Sequence, residues 1–303
     1  MNELNDAAQT VEQQLGSRLS FEPTGEDQPV TASGSDPNNP PWGLVAGFLT
    51  WIGSIALLIV LQLLFVLPYL ATGFKGGDKE QLTKFLTTDK TAVLLQILSL
   101  IPTHLLTCLL VWAVVTRFGK RPFWRTIGWS WTETIGPWMS VGLGIGLYIL
   151  AFLLIYFIGG VTTSFDETIS SSRAAALLIA FLALATAPLA EELVYRGVLY
   201  SALHKKIGVH GAVIGVLLLF TAVHVPQYWP DFGRIGVLGL LSLSLTLVRA
   251  YTGRLLPCFI IHTVFNGIQS ALILLKPYLP ETLTGDEPKA PGLLLSDLFS
   301  TLF

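Results

Sequence analysis

Residues 174–200 read AAALLIAFLALATAPLAEELVYRGVLY. The run is apolar for almost a full bilayer crossing and then presents Glu191, Glu192 and Arg196 in quick succession. Each charge near a bilayer centre costs about 2.5–3.5 kcal/mol even on the lenient insertion scale. A helix that keeps three of them needs pairing, a water-filled cavity or a chemical role for them.

The sequence on either side of this run has the same apolar character. The uncharged stretches 44–72, 91–116 and 138–160 each supply the roughly 20 residues that an α-helix needs to cross a bilayer. Three more apolar segments follow at 211–226, 235–248 and 255–275. The first two are short for a full crossing and suit tilted, re-entrant or bundle-buried helices. The reading is an all-α polytopic membrane bundle of about seven transmembrane helices, within a range of six to eight. Composition agrees: 13% of the 303 residues are Asp, Glu, Lys or Arg, against about 25% in ordinary soluble proteins. The mean hydropathy is +0.63. A net charge of -2 supplies no basic surface for nucleic acid. So much apolar side chain excludes a disordered protein. The two cysteines, Cys108 and Cys258, lie in apolar runs and do not suggest a disulfide scaffold.

The chain divides into a polar tail at 1–41, three amino-terminal helices at 42–173, a helical core carrying the charged motif at 174–276, and a proline-containing tail at 277–303. The first tail has seven acidic residues against Arg18 alone and reads as a solvated segment, not a signal peptide. Basic residues flanking the spans fall evenly on the two sides. Arg117, Lys120, Arg121, Arg125, Lys205, Lys206, Arg249 and Arg254 face Lys75, Lys79, Lys84, Lys90, Arg173, Arg234, Lys276 and Lys289. Acidic residues are mixed into the second set, which tips the balance towards an amino terminus inside and a carboxyl terminus outside. Compact loops and many spans suggest a multi-pass protein of a bacterial plasma membrane, with membrane lipids as its surroundings.

Helical spacing separates the two acids. Residues four apart share a face, which sets Glu192 beside Arg196 as an ion pair and gives both a structural role. Glu191 points about 100° away and has no local counter-charge, which leaves it free for chemistry. His224 follows Phe220 by four residues, and Asn266 follows His262 by four, each pair on one face of an apolar helix. His104, with Thr107 as its only polar helical neighbour, reads as a helix-to-helix hydrogen-bonding residue. Glu191, His224, His262 and Asn266 are spaced by about one helix and a loop, so adjacent helices can bring them together. Carboxylate and imidazole can move the protons of water, while imidazole and carboxamide can donate to an oxyanion. The same Glu191, His224 and His262 also match a catalytic zinc site. Spacing leaves both open.

The order Glu191-Glu192-x-x-x-Arg196, Phe220-x-x-x-His224, His262-x-x-x-Asn266 resembles the CPBP family, the CAAX-type intramembrane endopeptidases and bacteriocin-processing or immunity proteins related to Rce-type proteases. The resemblance covers about residues 174–275. It implies a protease cavity in which Glu191 and His224 activate water, His262 and Asn266 hold the oxyanion, and Glu192 and Arg196 support the motif helix. It also keeps zinc in play as a cofactor, although Asn266 suits an oxyanion donor better than a zinc ligand and no HExxH occurs. The expected activity is hydrolysis of a peptide bond in a membrane-associated peptide or protein. A noncatalytic scaffold or immunity protein is the alternative. A proton-coupled transporter fits less well, because the chain shows no repeat symmetry or paired discontinuous helices.

Overall fold

The computed structural model describes residues 37–278, and its regular structure is all helical, with no strand among these residues. In chain order the elements are α1 (Leu44–Gly73), α2 (Lys79–Thr88), α3 (Lys90–Thr116), α4 (Phe123–Ile127), α5 (Pro137–Ile158), α6 (Ser164–Ser170), α7 (Arg173–Ala185) and α8 (Ala187–Glu192). A π-helix (Leu193–Leu199), α9 (Tyr200–Tyr228), α10 (Phe232–Thr252) and α11 (Leu256–Leu275) complete the bundle, with a short 3-10 turn at Lys276–Tyr278. Residues 1–36 of the expected polar tail and 279–303 of the proline-containing tail lie outside the described residues.

Among the described residues six stretches are long and apolar enough to cross a membrane, and the three amino-terminal ones begin and end within two residues of the expected runs. The fourth, Arg173–Tyr228, merges two arms. Gly208 takes φ 74° and ψ 179° and breaks the helix there. Beyond it the chain folds back: the Tyr195 and Phe220 rings meet at 5.0 Å, and Leu203 packs against Gly215. These pairs have nearly constant index sums, as antiparallel helices require. The 211–226 run is therefore a separate arm, as its sequence suggested.

The 235–248 run is longer than expected. Helix α10 takes in Arg234 and Arg249, both assigned above to loops, and both are buried. Each is tolerated because it is neutralised or solvated by protein. Arg234 Nη1 lies 2.7 Å from Asp166 Oδ1 and Nε 3.2 Å from Asp231 Oδ2, while Arg249 donates to the Arg196 and Pro37 carbonyls.

Between apolar helices in lipid there is little hydrophobic drive, so close approach depends on small residues. A Cβ on Gly47 would sit 2.7 Å from Ala202 Cβ, and one on Gly144 would sit 2.8 Å from Val264 Cβ. Residues 37–42 strap one end of the bundle. Trp42 Nε1 donates to Val198 O, His204 bonds Asn38 O and Lys205 Nζ donates to Pro40 O.

Candidate active site

Three contacts fix the register of the core. Asn266 Nδ2 donates to Ala183 O (3.1 Å), and His262 Nδ1 bonds Glu192 Oε1 (2.9 Å), so α11 runs antiparallel to α7 and α8. The arm 209–228 runs antiparallel to the π-helix and hence parallel to α11, with Phe220 and His262 ring centroids 6.4 Å apart. The side chains accordingly stack in levels one helical turn apart: Glu191, Phe220 and His262; then His224 and Asn266; then Tyr228 and Ser270. All of these line one cavity of about 180 Å³. The four residues singled out from spacing thus share a single chamber.

The motif helix changes character where the charges occur. α7 ends at Ala185, Pro188 sits in the first turn of α8, and residues 193–199 widen into a π-helix. The helix breaks just before the acids, at Thr186 and Pro188, while the π turn has no sequence signal beyond the charge cluster. Its opened carbonyls find partners in side chains from afar, Arg249 on Arg196 O and Trp42 on Val198 O.

Glu192 and Arg196 form the expected pair at 2.9 Å, both with 0% exposure. The guanidinium also donates to Thr246 Oγ1, Ser242 O and Ser242 Oγ, and lies 4.8 Å over the Phe220 ring. Glu192 does more than the spacing indicated. Its Oε1 accepts from Arg196 and from His262, so the structural pair is wired to a site histidine 70 positions away.

That bond fixes the histidine. With Nδ1–H committed to Glu192, His262 turns Nε2 towards Glu191, 3.7 Å from Oε2. His224 is fixed in the same way. Its Nδ1 is 2.7 Å from the Phe220 carbonyl, which can only accept, so in the neutral ring the lone pair is on Nε2. Asn266 spends one amide N–H on Ala183 O at the α7–α8 break and retains a second.

A zinc site needs convergence as well as tautomers. Both histidines carry the buttressing bond that metal ligands usually have. Among the described residues, however, no three His, Cys, Asp or Glu side chains are grouped closely enough to hold a metal ion. Glu191, His224 and His262 line one chamber but are not gathered into such a group, and no step is routed through a metal.

Sequence reasoning missed the other end of the chamber. Arg234 lines it, held by Asp166 and Asp231 from separate segments. Asp166 also accepts from Thr163 N and Oγ1. The lone Arg and Asp residues near span ends gave no sign of this pairing, because the partners are 68 positions apart. His104 bridges helices as expected, its Nδ1 2.8 Å from Thr186 Oγ1 at the break before the acids.

Residues 173–268 match the family described as type II CAAX prenyl endopeptidase Rce1-like. Those residues form an Rce1-like domain. It starts at the first residue of α7 and ends in α11 two residues past Asn266, and so contains every motif side chain of the chamber. No significant match was found among curated proteins or solved structures. The Rce1-like match supports a membrane-embedded endopeptidase with peptide substrates in a lipid environment.

Proposed function

We propose that the protein is an intramembrane endopeptidase that hydrolyses a peptide bond of a membrane-associated peptide or protein by glutamate-activated water. The observation that carries this reading is the shared chamber, which gathers Glu191, His224, His262 and Asn266 inside an apolar bundle.

A water held between the Glu191 carboxylate and the His224 Nε2 lone pair is the nucleophile. Glu191 takes its proton as the oxygen attacks the scissile carbonyl, and the carbonyl π electrons move to oxygen. Asn266, through its remaining N–H, and His262, through Nε2–H when protonated, donate to that oxyanion. Glu192 stabilises the imidazolium through Nδ1, and Arg196 keeps Glu192 in place. Collapse of the intermediate breaks the C–N bond, and Glu191 returns its proton to the leaving amine. One water is consumed, giving a new carboxyl terminus and a new amine.

Purified protein in detergent is expected to cleave apolar peptides, with Glu191→Gln lowering kcat about 10²–10⁴-fold at unchanged folding. Cleavage persisting at the wild-type rate in Glu191→Gln overturns the mechanism. Activity that survives exhaustive chelation supports the metal-free form, and a stoichiometric metal whose removal abolishes activity overturns it.

A further inference from the structure

Ser270 is 3% exposed, lines the chamber one turn beyond Asn266, and its Oγ has no hydrogen-bond partner. Tyr148 lines the same chamber with its hydroxyl buried and likewise unpartnered. More than nine-tenths of buried polar groups in folded proteins are satisfied, so two orphan hydroxyls in one cavity call for an occupant that bonds them. Tyr228, at the Ser270 level on the facing arm, and Gln227 also line this end.

The chemistry of these groups defines the occupant. Hydroxyls and a carboxamide both donate and accept, which matches the alternating N–H and C=O of a peptide main chain and no ionic group. Among the described residues lining the cavity the one Arg or Lys is Arg234, already held by two carboxylates, so that cluster carries a formal excess of negative charge. An acidic residue or terminal carboxylate is therefore disfavoured here. Gln269 adds a second carboxamide to the lining, while Ile179, Val237 and Ile273 are apolar. One helical turn from Asn266 to Ser270 is about 6 Å, or roughly two residues of extended chain.

We propose that Ser270, Tyr148, Tyr228 and Gln227 form a main-chain subsite that grips an extended, uncharged peptide segment about two residues from the carbonyl that Asn266 would hold. The proposal rests on the endopeptidase reading for its cleavage register, but binding can be tested without cleavage. The experiment uses the full chain in detergent and an internally quenched fluorescent peptide of Ala and Leu, with one N-methyl group walked through the backbone. In the wild type, N-methylation about two residues from the cut on one side lowers kcat/KM roughly 2- to 13-fold, the range of one neutral hydrogen bond. Ser270→Ala raises KM by a similar factor, leaves the melting temperature unchanged or higher, and removes the extra penalty of N-methylation at that position. An Asp at that position also weakens binding. Equal penalties at all positions, or an N-methyl effect that persists in Ser270→Ala, overturn the subsite; Tyr228→Phe repeats the test if Ser270→Ala does not fold. Fluorescence anisotropy of the peptide on Glu191→Gln protein separates the two readings. Ser270-dependent binding without wild-type cleavage keeps the subsite and defeats the peptidase, and cleavage with no Ser270 dependence does the reverse. Absence of binding and cleavage alike defeats both.

Discussion

Replacing Arg196 with Leu should be among the most damaging single changes in the core. The guanidinium is fully buried and donates to Glu192, Thr246 and two atoms of Ser242. Its removal leaves the Glu192 carboxylate in the bundle with His262 as its remaining donor. Breaking a buried pair in this way costs about 3–5 kcal/mol, mostly from the uncompensated charge. At roughly 2–4 °C per kcal/mol for a body of this size, the melting temperature should fall by about 6–20 °C. Cys258 provides the assay, because its thiol is 0% exposed in the fold and becomes reactive to a fluorogenic maleimide on unfolding. The double variant Glu192→Gln with Arg196→Met removes both charges together and should recover more than half of the loss. If the double variant melts no higher than Arg196→Leu, the buried charge is not the source of the penalty and the reasoning fails.

Other substitutions test other contacts. Asn266→Ala should lower kcat about 10²–10³-fold with a smaller effect on KM, as loss of one oxyanion donor does; a KM effect alone would assign Asn266 to binding or to the Ala183 anchor. Gly144→Ala should destabilise the bundle by about 1–3 kcal/mol, because the new methyl meets Val264 and the Ile261 carbonyl. Gly146→Ala, which meets nothing within 4 Å, should be neutral or stabilising in the same thiol-exposure melt. Asp166→Ala should cost about 1.5–3 kcal/mol by removing both carboxylate oxygens from Arg234.

Much of this architecture could be read before any coordinates. The crossings at 44–72, 91–116 and 138–160 were visible because lipid permits long uncharged runs and forbids most others. Glu192 and Arg196 were paired by helical spacing alone, as were the shared faces of Phe220 with His224 and of His262 with Asn266. What escaped notice depends on contacts between distant segments. The bond from Glu192 to His262 and the clamp of Asp166 on Arg234 join residues about 70 apart, and periodicity carries no information about them. Arg249 was placed in a loop because a charge at a span end ordinarily reaches water; here it turns inwards to carbonyls that a π turn had opened. Ser270 was overlooked because a serine in an apolar helix is unremarkable until a cavity is seen in front of its hydroxyl.

The strap at 37–42 has a mechanical consequence. Trp42 grips the carbonyl of Val198, two residues past Arg196, while the Pro37 carbonyl engages the same Arg249 that holds the Arg196 carbonyl. Tension applied to the chain just before Pro37 is delivered to the turn that carries the Glu192–Arg196 pair, and not dissipated in a loop. Trimming the chain to Leu44 would therefore remove a tether on the motif helix that Trp42, Pro40 and Pro37 supply from outside the first membrane crossing.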